Sequence, residues 1–72
     1  MEPQVLYTVE KNGTEEIRFS LTEYRGHKLV DIRVHFEDDE GSWRPTKKGI
    51  TASVDLIGEL LAGVTRLHEA LK

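Results

Sequence analysis

The sequence predicts an α+β domain in which four antiparallel strands are followed by one C-terminal helix (ββββα). Two observations predict this order. Apolar and polar residues alternate along three segments between residues 5 and 36, as they do in half-buried strands, and a short fourth strand with Trp43 and three cations follows. From residue 53 onward the apolar residues recur every three or four positions, which is the period of a helix. We find no repeat, linker or low-complexity segment, and residues 1–72 are assigned to a single domain.

The first two strands are predicted to form a hairpin. Residues 5–10 alternate over a short stretch, and Asn12-Gly13 follows shortly after them. Asn-Gly is typical of two-residue hairpin loops, because both residues tolerate a positive φ. The alternation is clearer over residues 17–24, after which Gly26 supplies the backbone freedom for a second turn.

The third and fourth strands are predicted over residues 28–36 and 42–48. Between them, residues 37–41 contain four consecutive carboxylates and end in glycine, a composition that favours an exposed turn. Pro45 has no N–H to donate to a strand ladder, so the fourth strand is expected to lie at an edge or to bend. Gly49 is expected to end this strand.

The C-terminal segment is predicted to be an amphipathic helix with Ser53 as its N-cap. Its apolar stripe consists of Ile57, Leu60, Leu61, Val64, Leu67 and Leu71. Gly58 and Gly63 lower helix stability, which is tolerable where a neighbouring backbone packs close to them. We expect this helix to cover one face of the sheet. The opposite, polar face then carries Arg18, Ser20, Thr22, Tyr24, Asp31, Arg33 and His35.

The size of the chain predicts that it needs a partner to fold stably. A domain of 72 residues buries only ~60% of the surface that its unfolded chain exposes, and such a core rarely supplies more than ~3–5 kcal/mol. There is no cysteine for a disulfide, and His27, His35 and His68 lack the paired spacing of metal ligands, so no metal site is predicted. Oligomerisation is the support that remains, and we expect a homodimer.

Several classes of protein are excluded by missing patterns. The chain contains no GxSxG, no GxxxxGK[ST] phosphate loop, no HExxH and no GxGxxG. It is therefore predicted not to be an enzyme, with no catalytic residue and no cofactor. It also lacks the apolar run of a membrane span and the pattern of a signal peptide. We expect a soluble protein of the cell interior with no membrane partner.

Six of the ten lysines and arginines lie between residues 24 and 48, interleaved with aromatic residues, although the net charge of the chain is −3. Single-strand binders need this mixture, because cations follow the phosphates and aromatic rings stack on unpaired bases. The helix carries only Arg66 and Lys72 as full cations and is a poor match to a duplex groove. Two alternatives stay open at this point. The mixed charge is also typical of a solvated surface, and Phe36 and Trp43 suit the core as well as stacking.

Two segments carry a resemblance to a known family. Residues 23–33, EYRGHKLVDIR, combine an aromatic–basic–glycine turn with an Asp-Ile-Arg strand, and residues 43–50, WRPTKKGI, place a basic stretch with one proline before the helix. In this order, with the acidic turn between them, they resemble the C-terminal domain of the transcriptional positive cofactor four family. The resemblance extends over residues 17–71. It implies a curved four-stranded antiparallel sheet followed by one helix, in a homodimer whose sheets hold two single strands or melted duplex.

The resemblance also implies which residues bind. By position, the nucleic-acid-binding set is Tyr24, Arg25, His27, Lys28, Arg33, Phe36, Arg44, Lys47 and Lys48. Tyr24 stands where the family has a base-stacking aromatic. Two positions depart from the family pattern. His27 replaces what is commonly lysine, so the charge there depends on pH, and Phe36 replaces what is often tryptophan.

The predicted function is sequence-tolerant binding of single-stranded DNA by a homodimer. It would serve transcription regulation, in the manner of a coactivator, or protect exposed single strands. The transcription machinery is a further predicted partner, and RNA or melted duplex are alternative ligands. The alternatives are a protein-interaction module that recruits transcription or repair factors, and an RNA-binding chaperone of the same fold. Because the serine-rich N-terminal region of animal members is missing, we expect a bacterial or viral protein of the cytoplasm, associated with the nucleoid; a eukaryotic member would be nuclear.

Overall fold

The computed structural model describes residues 3–72, so the first two residues of the predicted domain lie outside it. Four strands, β1 (Gln4–Asn12), β2 (Glu15–Tyr24), β3 (His27–Glu37) and β4 (Trp43–Ser53), are followed by a 3-10 turn (Val54–Leu56) and one helix, α1 (Ile57–Ala70). Each strand pairs antiparallel with the next, in the order β1-β2-β3-β4. The predicted order of four strands and one helix is confirmed.

The alternation of side chains gives the sheet two chemically different faces. On the apolar face, Phe19 of β2 lies opposite Ile32 of β3, which lies opposite Ile50 of β4. Tyr7 of β1 meets Phe19 edge to face, with 5.9 Å between the ring centroids. The opposite, polar face contains the pairs Arg18–Arg33 and Ser20–Asp31 between β2 and β3, and the pair Asp31–Thr51 between β3 and β4. The predicted division of these residues between faces is confirmed.

The strand β4 does not end at Gly49, so that prediction is wrong. The strand continues to Ser53, with Gly49 directly opposite Arg33. A Cβ atom at Gly49 would lie 2.4 Å from the Ile32 carbonyl oxygen and 2.7 Å from the Cα of Arg33. Glycine is needed here because the two backbones approach too closely for any side chain, and it permits the pairing instead of breaking it.

A bulge interrupts β4 just before this glycine. Pro45 pairs with His35 and Gly49 pairs with Arg33, so residues 46–48 together face the single residue Val34. The hydroxyl of Thr46 donates to the Val34 carbonyl at 2.8 Å and accepts the backbone N–H of Lys48 at 3.1 Å. We refer to residues 46–48 as the bulge. β4 is also an edge strand of the sheet, which is one of the two outcomes expected from Pro45.

The helix α1 does not cover the sheet, contrary to expectation. Its packing partner within the chain is the 3-10 turn before it, and only its first residue, Ile57, reaches the apolar groove of the sheet. The exposed fractions of Leu61, Val64 and Leu67 are 66%, 61% and 68%. The apolar stripe of α1 and the apolar face of the sheet are therefore both open to solvent in a single copy. Within residues 3–72, no helix has the length and apolar character needed to cross a membrane.

Ser53 caps the turn that starts this segment. Its hydroxyl oxygen accepts the backbone N–H of Asp55 at 3.2 Å. The predicted cap is thus confirmed, although it begins the 3-10 turn and α1 follows three residues later. In residues 3–72 the helix has no side-chain cap of its own.

The hairpin between β1 and β2 forms, but for a different reason from the predicted one. Asn12 is the last residue of β1, and the loop consists of Gly13 and Thr14, with no positive φ at either. The Asn12 side-chain oxygen accepts both the backbone N–H of Thr14, at 3.0 Å, and its hydroxyl, at 3.2 Å. The asparagine therefore stabilises the turn through its side chain, as Asn commonly does at the first position of a turn.

Candidate nucleic-acid interface

The hairpin between β2 and β3 presents the predicted stacking aromatic. Tyr24 ends β2 and pairs with His27, and Arg25 and Gly26 form the two-residue loop between them. The φ angles of Arg25 and Gly26 are 50° and 81°, as type I′ hairpin loops require. Tyr24 is 61% exposed, and the Arg25 guanidinium lies 5.2 Å from the centroid of its ring. The structure thus brings Tyr24, Arg25 and His27 together at one end of the polar face.

Lys28 lies next to this group but on the other side of the sheet. It pairs with Glu23, one step further along each strand, and strand alternation turns its side chain toward the apolar face. It is exposed near the open end of β1, beside Gln4. The position still adds a cation to the edge of the hairpin.

Arg33 lies in the middle of the polar face and is engaged within the protein. Its Nε and Nη2 donate to the carboxylate of Asp31, at 3.1 and 3.0 Å. Nη2 also donates to the hydroxyl of Thr51 at 2.9 Å, and Nη1 donates to the carbonyl oxygen of Thr46 at 2.9 Å. The Thr51 hydroxyl in turn donates to Asp31 at 2.7 Å. We call these four residues the polar brace.

The polar brace connects β3 to both sides of the bulge. Thr46 begins the bulge and Thr51 lies beyond it, so one guanidinium fixes the two ends of the bent segment of β4. The Arg33 side chain is only 19% exposed. Of its five N–H groups, one on Nη1 remains for a ligand.

A second arginine on the polar face was not predicted as a site residue. The Nε of Arg18 donates to the carboxylate of Glu16 at 2.5 Å, and its guanidinium lies 5.7 Å from the centroid of the Trp43 ring. Trp43 pairs with Glu37, is half-buried and lies on the polar face. It is therefore not part of the apolar core, and Arg18 already covers its ring. Opposite charges two residues apart on a strand were the signal that was available for this pair.

The far end of the sheet holds Phe36 and Arg44, which pair with each other and alternate toward the apolar face. Phe36 is 37% exposed, so it does not fill the core. Arg44 donates from Nε to Asp38 at 2.6 Å, and Asp38 also accepts the backbone N–H groups of Ser42 and Glu40. The hydrogen bond from Arg44, together with the one from Ser42, lowers the pKa of Asp38 below its ordinary value near 3.8. The predicted exposed acidic turn is thus held together by one of its own carboxylates.

The cations of the sheet that have no carboxylate partner lie at two places, and two further ones, Arg66 and Lys72, lie in the C-terminal helical segment. Within residues 3–72, the ion pairs between side chains involve Lys11, Arg18, Arg33 and Arg44. Lys47 and Lys48 in the bulge make no such pair, and neither do Arg25 and Lys28 at the hairpin. All four are exposed. The open positive charge of the sheet is therefore concentrated at the hairpin of residues 24–28 and at the bulge.

The nine predicted residues form a strip along β3 and its two neighbouring strands, and not a pocket. The strip includes positions on both faces, because Lys28, Phe36 and Arg44 alternate toward the apolar face. The hairpin pair Tyr24–His27 and the far pair Phe36–Arg44 are nine positions apart on β3. At about 3.3 Å per residue, this separation is roughly 30 Å. A site of this length suits an extended ligand. In the part of the chain that the structure describes, no group of acidic and histidine side chains has the geometry of a metal site.

The fold and the strip define a small open-sheet domain with cationic and aromatic side chains along its central strands. The family model described as Transcriptional Coactivator p15 (PC4) matches residues 11–63. The chain therefore belongs to the PC4 family, and the resemblance drawn from residues 23–33 and 43–50 is confirmed.

Known relatives agree with this assignment. The RNA polymerase II transcriptional coactivator SUB1 of Saccharomyces cerevisiae is 38% identical over 56 residues, in a match that covers 76% of this chain. The chain spans about a fifth of that relative, 19% of its length. The crystal structure of a PC4 homolog from Burkholderia pseudomallei superposes with a TM-score of 0.88, at 30% identity, over 93% of this chain and 98% of that one. A bacteriophage T5 homolog of PC4 has the same fold, with a TM-score of 0.79 at 24% identity, over 97% of this chain and 81% of that one.

Proposed function

We propose that this chain binds single-stranded DNA as a homodimer, with little regard to sequence and without catalysing a reaction. The observation that carries the proposal is the placement of unpaired cations at the hairpin and at the bulge, on the same strip as the exposed ring of Tyr24. In the cell, this activity serves transcription regulation or the protection of exposed single strands. The family, and a relative named as a transcriptional coactivator, support the first of these roles.

The chemistry of binding follows from the two open clusters. Arg25, Lys28, Lys47 and Lys48 contact phosphates and release the counterions condensed on them, so affinity falls steeply with salt. Tyr24 stacks on an unpaired base, a contact worth ~1–3 kcal/mol. His27, opposite Tyr24, adds a hydrogen-bond donor beside the same nucleotide.

The remaining predicted residues have more limited roles. Arg33 offers one N–H to a phosphate, and its main contribution is to hold β4 through the polar brace. Arg44 is 61% exposed at its side chain despite its bond to Asp38, so it adds a positive charge at the far end of the sheet, although its side chain alternates toward the apolar face. Phe36, at 37% exposure, provides a smaller stacking surface there.

A single strand fits this surface better than a duplex. The cations are spread along roughly 30 Å of β3 and its neighbouring strands, and the extended backbone of a single-stranded nucleic acid can follow such a line. A duplex groove is usually read by a helix or a two-stranded ribbon that carries polar side chains. In this chain the helix exposes an apolar stripe, with Leu61 and Leu67 more than 60% exposed. This stripe is better suited to a protein contact.

The homodimer is proposed because one copy leaves two complementary apolar surfaces uncovered. The apolar face of the sheet exposes Tyr7 and Ile50, at 66% and 47%, and the stripe of α1 exposes Val64 and Leu67. The helix does not fold back onto its own sheet, so a second copy that exchanges helix-to-sheet contacts covers both surfaces at once. A self-complementary interface of this kind is what a two-fold symmetric dimer requires.

The proposed binding is tested by fluorescence anisotropy with a labelled single strand of ~20 nucleotides and with its duplex, over a series of salt concentrations. We expect the single strand to bind more tightly, with affinity that falls as salt rises. The double variant Lys47→Ala/Lys48→Ala is expected to lose ~10-fold or more in affinity and to have a salt slope smaller by about 1.4, which is two single-strand phosphate contacts.

The matched control is Arg66→Ala/Lys72→Ala, which removes the same charge from the C-terminal helical segment and is expected to bind nearly as the parent protein does. If no single strand binds even at low salt, the nucleic-acid proposal is wrong and the protein-interaction alternative takes its place. Tighter binding to a matched RNA strand than to the DNA strand would instead favour the RNA chaperone.

A further inference from the structure

Arg25 occupies an unusual backbone conformation for an arginine. Its φ of 50° is the only positive φ at a non-glycine position within residues 3–72. The left-handed region brings the β-carbon of an ordinary residue too close to the following carbonyl, and only Gly, Asn and Asp visit it routinely. The first position of a type I′ loop is therefore normally Asn, Asp or Gly.

Packing does not explain the choice of arginine. A Cβ atom built at the next residue, Gly26, would meet nothing within 4 Å, so the loop is open to solvent and nothing presses on it. The chain also uses Asn-Gly at another hairpin, at Asn12-Gly13, where no positive φ is needed. The loop of the second hairpin thus carries an arginine, which disfavours a positive φ, at a position where asparagine would fit.

What the arginine does instead is contact Tyr24. Its guanidinium carbon lies 5.2 Å from the centroid of the tyrosine ring, within the range of a cation–π contact. Tyr24 remains 61% exposed, so the guanidinium covers part of the ring and leaves the rest accessible. Tyr24 lies at the end of a strand and has no other aromatic contact among the described residues, so the guanidinium of Arg25 is the neighbour that holds its ring.

We propose that Arg25 is a positioning residue for Tyr24, held by a strained loop conformation so that the ring and the guanidinium together clamp one nucleotide of a single strand. The inference rests on the proposed function and deepens it. The ring of Tyr24 stacks on the base, while the guanidinium both orients that ring and pairs with the adjoining phosphate. The planar group is essential, because a lysine ammonium supplies the charge without the stacking surface. Backbone strain of this kind is found where a functional geometry requires it.

The test measures fold stability and binding on the same set of variants. Arg25→Asn is expected to raise the melting temperature by about 3 °C, because Asn tolerates the left-handed region. It is expected to weaken single-strand binding about 10-fold and to lower the salt slope by about 0.7. Arg25→Ala removes the same charge but keeps a residue that resists this φ. Its melting temperature is expected to fall below that of the parent protein, with the same loss of binding.

Arg25→Lys separates orientation from charge. We expect an unchanged salt slope and about 3-fold weaker binding, since the charge stays and the planar contact with the ring is lost. In the background of Tyr24→Leu, exchange of Arg25 for lysine is expected to have no further effect. A residue with a purely structural role would not show this dependence on Tyr24.

Three results would overturn the inference. The first is a melting temperature that falls in Arg25→Asn. The second is full affinity in Arg25→Lys, which would make Arg25 a simple point charge, and the third is a loss that persists without Tyr24. If the parent protein binds and Lys47→Ala/Lys48→Ala weakens it while the Arg25 variants do not, only this inference fails. If the parent protein binds no single strand, the proposed function fails and the clamp fails with it.

Discussion

On the polar face of the sheet, charged side chains form ion pairs within the same β-strand, whereas on the apolar face no other part of the chain covers the side chains. Glu16 pairs with Arg18 and Asp31 pairs with Arg33, each two residues along the same strand. On the other face, Tyr7 stays 66% exposed, and α1 packs on the 3-10 turn before it and leaves the sheet uncovered. The difference follows from the physics of the two interactions. A charge needs one neighbour at short range, but apolar area leaves water only when another layer covers it.

The largest expected effect comes from disrupting the helix-to-sheet contact by which the second copy covers the apolar face in the proposed dimer. Val64→Glu places a carboxylate at a position that is 61% exposed in the single chain and is buried in the proposed dimer. Burial of an unpaired charge costs several kcal/mol, so we expect the dimer to dissociate and the melting temperature to drop sharply. Sedimentation velocity and circular dichroism measure the two effects.

The control for this variant is Ala62→Glu. At 100° per residue, position 62 lies on the side of the helix away from the apolar stripe. We expect this variant to remain dimeric and stable. If Val64→Glu behaves in the same way, the stripe of α1 is not an interface and the dimer proposed above is wrong.

The next effect concerns the close contact between β3 and β4 on the polar face. Gly49→Ala would place a methyl group 2.4 Å from the Ile32 carbonyl oxygen, so the strands must separate. We expect a loss of about 1–3 kcal/mol in the free energy of unfolding, measured by urea denaturation. Gly13→Ala is the matched control, since its methyl group meets nothing within 4 Å and its φ is not positive. A similar loss in both variants would show that the close approach is not what requires glycine.

A smaller effect is expected from opening the polar brace. Arg33→Ala leaves Asp31 without its ion pair at 19% exposure, and should lower the free energy of unfolding by about 1–3 kcal/mol. Asp31→Asn should act in the same direction, and the double variant should cost less than the sum of the two. The two variants also separate two roles for Arg33 in binding.

If Arg33 mainly holds β4 in place, loss of the Asp31 charge weakens single-strand binding as loss of Arg33 does. If Arg33 is instead an open phosphate ligand, removal of the neighbouring carboxylate strengthens binding. Anisotropy titration of Asp31→Asn, at a temperature where circular dichroism shows the variant folded, therefore decides between the brace and the ligand by the sign of the change.

The smallest effect is expected at the exposed turn between β3 and β4. The pKa of Asp38 is lowered in the folded protein, chiefly by its hydrogen bond from Arg44. The contribution of this pair is therefore present above the ordinary pKa near 3.8 and is lost as the pH falls through the lower folded value. Urea midpoints of the parent protein and of Arg44→Ala should differ at pH 6 and converge at the acidic pH where Asp38 is protonated in the folded protein as well. A difference that does not change with pH would show that the charge of Asp38 is not involved.

The strands and the division of faces were predictable because each face repeats with a period of two that any single strand displays. The path of α1 was not predictable in this way. An apolar stripe that includes Val64 and Leu67 indicates that the helix packs against an apolar partner. It does not indicate whether that partner is its own sheet or a second copy. The same limit applies to Gly49, because the approach of Ile32 from a neighbouring strand cannot be seen in the sequence around the glycine.

The candidate site was predictable in its location and less so in the state of its side chains. The resemblance named Arg33 and Arg44 as binding residues, yet both are engaged with carboxylates in the folded chain. The spacing of Asp31 and Arg33 was a readable signal for one of these pairs. The bond from Arg44 to Asp38 crosses a turn whose shape depends on backbone contacts, so it could not be read from spacing.

The bulge sets a rule for how the length of β4 can change. Three residues stand opposite Val34, so the strand carries two residues more than its partner needs. Because the excess is even, Trp43 and Gly49 both keep their places on the polar side. Deletion of one bulge residue would turn the start of β4 over, sending Trp43 to the apolar side and Arg44 to the polar side. Insertions and deletions of two residues should therefore be tolerated in the bulge. The bulge can then vary in length while the two faces of the sheet keep their polar and apolar side chains.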